Sequence, residues 1–186
     1  MTKPPMKLAR VAAVERACTF VGLTEDPAGS NTGPRSGKWN EQINRWQKAT
    51  NGVTGYAWCA AMQNCMLLDV GVSVHRLGLD LPSYVPSWVK WARARGYDVR
   101  RPLRGDHVCF DWQQDGTHDH IGIVDRVLAL RWSKSGRFVG LIRTVEGNTS
   151  FGWKGSQSNG GCVARRWRWV NASTVFIRVP GFVPEV

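Results

Sequence analysis

HIGIVDRVLALRWSKSGRFVGLIRTVEGNT, residues 120–149, holds two strand-like runs around a turn. His120–Leu130 and Arg137–Gly147 are rich in β-branched and large apolar residues, and Ser133–Gly136 carries turn chemistry between them. The stretch therefore reads as a β-hairpin centred near residues 134 and 135. Folding it there sets His120 roughly across from residue 149, within a few residues of Glu146 and Asn148. Residues two apart on a strand share a face, so Glu146 and Asn148 are expected to point the same way. An imidazole, a carboxylate and a carboxamide thus converge at one end of one hairpin.

Outward from the hairpin, HVCFDW (107–112), CVARRWRWV (162–170) and TVFIRV (174–179) are further strand candidates. In the second of these, alternation sends Trp167 and Trp169 to one face and Arg166 and Arg168 to the other, a half-buried strand with a basic outer face. Before residue 97 the periodicity is helical. Leu8, Val11, Ala12, Cys18 and Val21 form a core-facing stripe, and KWNEQINRWQKATN (38–51) repeats Trp39, Ile43 and Trp46 at helical spacing. WCAAMQNCMLLDVG (58–71) reads as a buried helix ending at Gly71, and SWVKWARARG (87–96) as a short amphipathic one ending at Gly96. Helices first and strands later imply an α+β domain with an antiparallel sheet.

The chain has 186 residues, 42% hydrophobic and 21% charged, with no repeat or linker, so residues 1–186 are expected to form one domain with no separate binding module. No stretch approaches the roughly 18 apolar residues of a membrane span. The first twenty residues lack a cleavage site and are broken by Glu15 and Arg16, so they read as a helix rather than a secretory signal. Synthesis in a cytoplasm is expected, with another route out for work beyond it. Cys18, Cys59, Cys65, Cys109 and Cys162 are odd in number and scattered, against a disulfide framework or a structural zinc site. The net charge of +11 favours a polyanionic partner.

In GYAWCAAMQNC (55–65), Cys59 falls at the first turn of a helix. Unpaired amides there favour negative charge, a placement that lowers a thiol's pKa and makes a nucleophile. A thiol site needs that sulfur, an imidazole to share its proton and a third group to orient the ring. The chain offers Cys59, His120 and Glu146 in that order, with Asn148 beside the last.

EDPAGSNTGP (25–34), GYAWCAAM (55–62), RGDHVCFDW (104–112), DHIGIV (119–124) and VEGNTS (145–150) together resemble the CHAP domain of cysteine, histidine-dependent amidohydrolases and peptidases, common in bacteriophage endolysins. The resemblance implies a papain-like fold, with helices packed on a central antiparallel sheet of about six strands. It implies Cys59 as nucleophile, His120 as general base, Glu146 as the group orienting His120, and Asn148 as a neighbour able to share that role. The implied substrate is peptidoglycan, cut at an amide bond without a cofactor or metal. The implied setting is lysis after a holin-type release from the host cytoplasm, by a monomer that meets anionic wall polymers but neither specific nucleic acid nor the membrane interior. The family's occasional calcium loop ahead of the cysteine is not expected, since Thr32–Tyr56 holds Glu41 as its one acid. Met62 stands where the family often has Phe, and the hairpin is longer than usual, carrying Arg131, Lys134 and Arg137.

Two rival readings compete: a metal-dependent hydrolase using His118, Asp119 and His120, and a non-enzymatic polyanion-binding domain. His75 and His107 read as structural. Of ten tryptophans, Trp58, Trp112 and Trp153 are the candidates to wall a substrate groove.

Overall fold

The computed structural model describes residues 6–132, 138–152, 156 and 159–184. In chain order it contains β1 (Met6–Leu8), α1 (Ala9–Cys18), α2 (Gln42–Asn51), α3 (Cys59–Leu68), α4 (Val85–Arg95), β2 (Asp98–Val99), β3 (His107–Phe110), β4 (His120–Trp132), β5 (Phe138–Thr149), β6 (Cys162–Val170), β7 (Val175–Ile177) and β8 (Phe182–Pro184). Six strands form one open antiparallel sheet in the order β2-β7-β3-β4-β5-β6, and β1 pairs with β8 apart from it. This is the α+β arrangement the sequence implies. Among the described residues no helix is long and apolar enough to cross a membrane.

The helices lie against one face of the sheet because each offers it an apolar surface. α3 is buried from Cys59 to Leu67, as a helix hydrophobic all round must be. α4 starts with a proline in its first turn and stops at Gly96, whose φ of +68° supplies the left-handed cap. Trp46, Trp58, Met62, Met66 and Trp88 meet Cys109, Ile121, Ile123, Val145 and Val163 in the main core. The alternate residues Val108, Phe110, Val124 and Ile142 form a smaller cluster with Val170 and Phe176 on the other face.

Three expectations need correction. The buried stripe of α1 is Ala9, Ala13, Val14 and Ala17; Leu8 is exposed and Val11, Ala12, Cys18 and Val21 are only partly buried. Small side chains win the inward face there. α2 begins at Gln42, leaving Trp39 ahead of it yet packed on the core. The third correction reverses β6: Arg166 and Arg168 are buried, whereas Trp167 is 44% and Trp169 76% exposed. The Glu146 carboxylate, which accepts from Arg168, and the Ser150 and Gly152 carbonyls, which accept from Arg166 Nη1, outweigh the greater apolarity of the indoles.

The β4–β5 hairpin is present, but its register slips. Trp132 faces Phe138 at the far end, and irregularities after Val124 and Val127 each insert one residue into β4. Gly122 consequently faces Glu146. The expected turn at Ser133–Gly136, with Lys134 and Arg137, lies outside the described residues; Arg131 is exposed.

Candidate active site

Trp58 precedes α3, and no side chain caps the helix start, so the positive end of the helix dipole is presented where Cys59 begins the first turn. Trp58 itself has no exposed surface; its Nε1 donates to Glu25 Oε1 at 2.8 Å and its ring packs 5.9 Å from Trp46. This corrects its assignment to a groove wall, because an indole sealed on all sides anchors the helix instead. Gly147 on β5 makes that anchoring possible: a Cβ there would lie 2.6 Å from both the Trp58 ring and Met62 Sδ.

His120 opens β4, fully buried, opposite Phe110 on β3. Its Nε2 and Glu146 Oε2 are 3.0 Å apart. Glu146 can approach because Gly122 faces it; a Cβ at Gly122 would come within 2.7 Å of Glu146 Cγ. The Nδ1 of His120 has no partner in hydrogen-bond geometry among the described residues and is the nitrogen left to serve Cys59. Burial disfavours the charged ring, but Cys59 and Glu146 outweigh it and raise His120 to about 9. Burial likewise opposes ionisation of Glu146, yet Arg168 and His120 bring it down to about 2. The carboxylate is therefore charged and the imidazole readily holds a proton. That pairing suits a thiol that must lose one.

Glu146, rather than Asn148, holds the imidazole. Asn148 lies in a β-bulge between Glu146 and Thr149, at φ +56°, so the two-residue rule linking it to Glu146 does not apply. It is fully buried, its side-chain amide finds no hydrogen-bond partner among the described residues, and its backbone carbonyl accepts from Gly160 N at 2.9 Å.

Arg168, which simple alternation assigns to the outer face of β6, belongs to the site. Its Nε donates to Glu146 Oε1 at 2.8 Å and its Nη2 to Glu146 Oε2. Thr144 Oγ1 also donates to Glu146 Oε1. Trp112, 37% exposed, stacks on His120 at 5.4 Å, so this indole does stand at the site. Trp153 lies outside the described residues. The local sequence trace of Arg168 is the Arg166-Trp167-Arg168-Trp169 alternation, which leaves open which pair turns inward.

The remaining histidines have no contact with Cys59, His120 or Glu146 among the described hydrogen bonds. His118 Nε2 meets the Ser173 carbonyl at 3.0 Å, and burial lowers the pKa of this ring. His107 is fully buried 5.2 Å from Trp88 and lowered by burial to about 3; His75 is exposed. Asp119 Oδ2 is buried without a partner among the described residues. Among the described residues no group of three or more His, Cys, Asp or Glu is arranged to hold a metal.

The family model of the CHAP domain matches residues 50–148, more than half of the chain, and spans Cys59, His120 and Glu146. The chain belongs to the CHAP family. No curated protein and no solved structure matches it. CHAP domains are generally cysteine- and histidine-dependent amidohydrolases, and membership gives the chain the character of a peptidoglycan-related amidase or peptidase. In this CHAP domain β6, which supplies Arg168, lies beyond the matched stretch.

Proposed function

We propose that this CHAP domain is an endolysin-like peptidoglycan hydrolase that cleaves an amide bond through Cys59, His120 and Glu146. The observation that carries the reading is a fully buried imidazole held on one nitrogen by an ionised Glu146 and raised by Cys59 at the start of α3. His120 takes the thiol proton, and Cys59 Sγ attacks the carbonyl carbon of the amide. The new carbon–sulfur bond sends the carbonyl electron pair to oxygen, where the Cys59 amide and the helix dipole stabilise it. Collapse expels the amine, which leaves with the proton from His120. Water, deprotonated by His120, then attacks the thioester; a carboxylic acid departs and the thiol is restored. Glu146 fixes the imidazole and supports its charge throughout. Trp112, half-open above His120, offers a face for the peptide or sugar next to the scissile bond.

The enzyme is proposed to be made in a host cytoplasm and to meet the wall after a holin-type release. Digestion of purified peptidoglycan with mass spectrometry of the products tests the chemistry. Wild type should create one new kind of terminus, which names the bond, and Cys59→Ala should create none. Full activity in the variant overturns the reading. The metal-hydrolase alternative is disfavoured because, among the described residues, no group of three or more His, Cys, Asp or Glu is arranged to hold a metal. Iodoacetamide should therefore abolish turnover and a chelator should spare it.

A further inference from the structure

Glu146 is sealed from solvent, and a carboxylate so placed needs charge-assisted partners or a proton. The charged groups facing it come from two strands: His120 on β4, and Arg168 and, more distantly, Arg166 on β6. Arg168 grips both carboxylate oxygens, a two-point fork that a guanidinium supplies and an ammonium does not. Its own position is over-determined. Nη2 also donates to Thr149 Oγ1 at 3.3 Å, and the guanidinium carbon lies 5.0 Å from the Trp112 ring centre and 5.6 Å from that of Phe110. Trp112 is the same indole that stacks on His120. One aromatic plate and one carboxylate thus join the guanidinium to the imidazole.

We propose that Arg168 is a positioning residue of the active site, whose fork fixes the direction of the Glu146 carboxylate and through it the aim of the His120 ring at Cys59. A merely structural ion pair would tolerate any geometry that neutralised the charge. Here one oxygen is shared between Arg168 and His120, so rotating the carboxylate to suit one donor takes it from the other. The inference rests on the catalytic reading of Cys59 and His120.

Arg168→Gln and Arg168→Lys, compared with wild type on a soluble peptidoglycan fragment that carries both sugar and stem peptide, test it. Arg168→Gln removes the charge and the fork. Its kcat should fall about 100-fold, the order of loss that misaligned catalytic groups produce, with KM little changed. Its acidic limb should move to higher pH as Glu146 takes up a proton more readily. Arg168→Lys should keep the acidic limb in place and recover part of kcat. Alkylation of Cys59 by iodoacetamide, followed at that peptide by mass spectrometry, gives a readout independent of hydrolysis and should slow in the Gln variant. Wild-type kcat with an unmoved acidic limb in Arg168→Gln overturns the proposal, as does a loss confined to KM. If the Gln variant fails to fold, the Lys variant decides: wild-type kcat and alkylation rate there refute the need for a fork. Cys59→Ala run in parallel separates the two failures, since activity in that variant sinks the catalytic reading, whereas an inactive Cys59→Ala beside a fully active Arg168→Gln sinks only the role of Arg168.

Discussion

His120 is pulled in two directions. A dry environment favours the neutral ring, while Cys59 and Glu146 favour the protonated one and win, raising it to about 9. The protonated ring therefore stabilises the fold fully below the ordinary imidazole value near 6.5, and that contribution is lost as pH rises through about 9. Glu146, lowered to about 2, behaves in the opposite sense: its contribution is full above the ordinary value near 4.5 and lost as pH falls through about 2. Hydrolysis needs an imidazolium to protonate the leaving amine, so its basic limb should lie near pH 9. Glu146→Gln keeps the shape but deletes the charge, leaving Cys59 alone to oppose burial. The basic limb should then drop by about one pH unit or more, measured as turnover or Cys59 alkylation against pH. A limb unmoved in that variant would show that Glu146 does not set the state of His120.

Among the elements, β5 carries two duties on opposite faces. Glu146 serves the site beside Gly122, while Gly147 admits Trp58 and Met62 of the helical layer. Adding one methyl at each glycine should separate these duties. Gly147→Ala should loosen the seat of α3 and cost about 1–3 kcal/mol of stability, read from urea unfolding. Gly122→Ala pushes on the carboxylate and should reduce kcat more than its loss of stability would explain; the reverse ranking would count against this division. The helices, the hairpin and its convergence of His120 with Glu146 were legible because hydrophobic periodicity and turn chemistry are local signals. The faces of β6 were not. An Arg-Trp-Arg-Trp alternation has two phases, and apolarity favours the indoles inward. The buried acid that Arg168 grips and the Ser150 and Gly152 carbonyls that accept from Arg166, all non-local facts, turn the arginines in. Asn148 escaped for a similar reason, since a bulge leaves no mark in a period-two count.

For the whole molecule, charge organises both folding and encounter. Asp106, fully buried, accepts from Leu103 N at 2.8 Å and from Arg178 Nη2 at 2.7 Å and lies 3.8 Å from Arg10 Nε, so it links α1 to the residue that follows β7. Asp125 likewise sits beside Arg143, Arg165 and Arg104, at 2.8, 3.5 and 3.8 Å. Exposed pairs such as Arg16–Asp69 contribute little by comparison. The remaining excess of +11 acts outward. If it draws the protein to an anionic wall, lysis of whole walls should fall steeply between low and physiological salt, where the screening length shortens to about 8 Å, while cleavage of a small soluble fragment barely changes. Equal salt sensitivity for both substrates would remove electrostatic attraction from the account.

The extra residue near the end of β5 has a wider implication. Side chains three places apart on a regular strand look in opposite directions, yet Glu146 and Thr149 both grasp Arg168. The bulge is therefore as much a part of the chemistry as residue identity: the same residues drawn out as regular strand would turn the hydroxyl away from the cation it now holds.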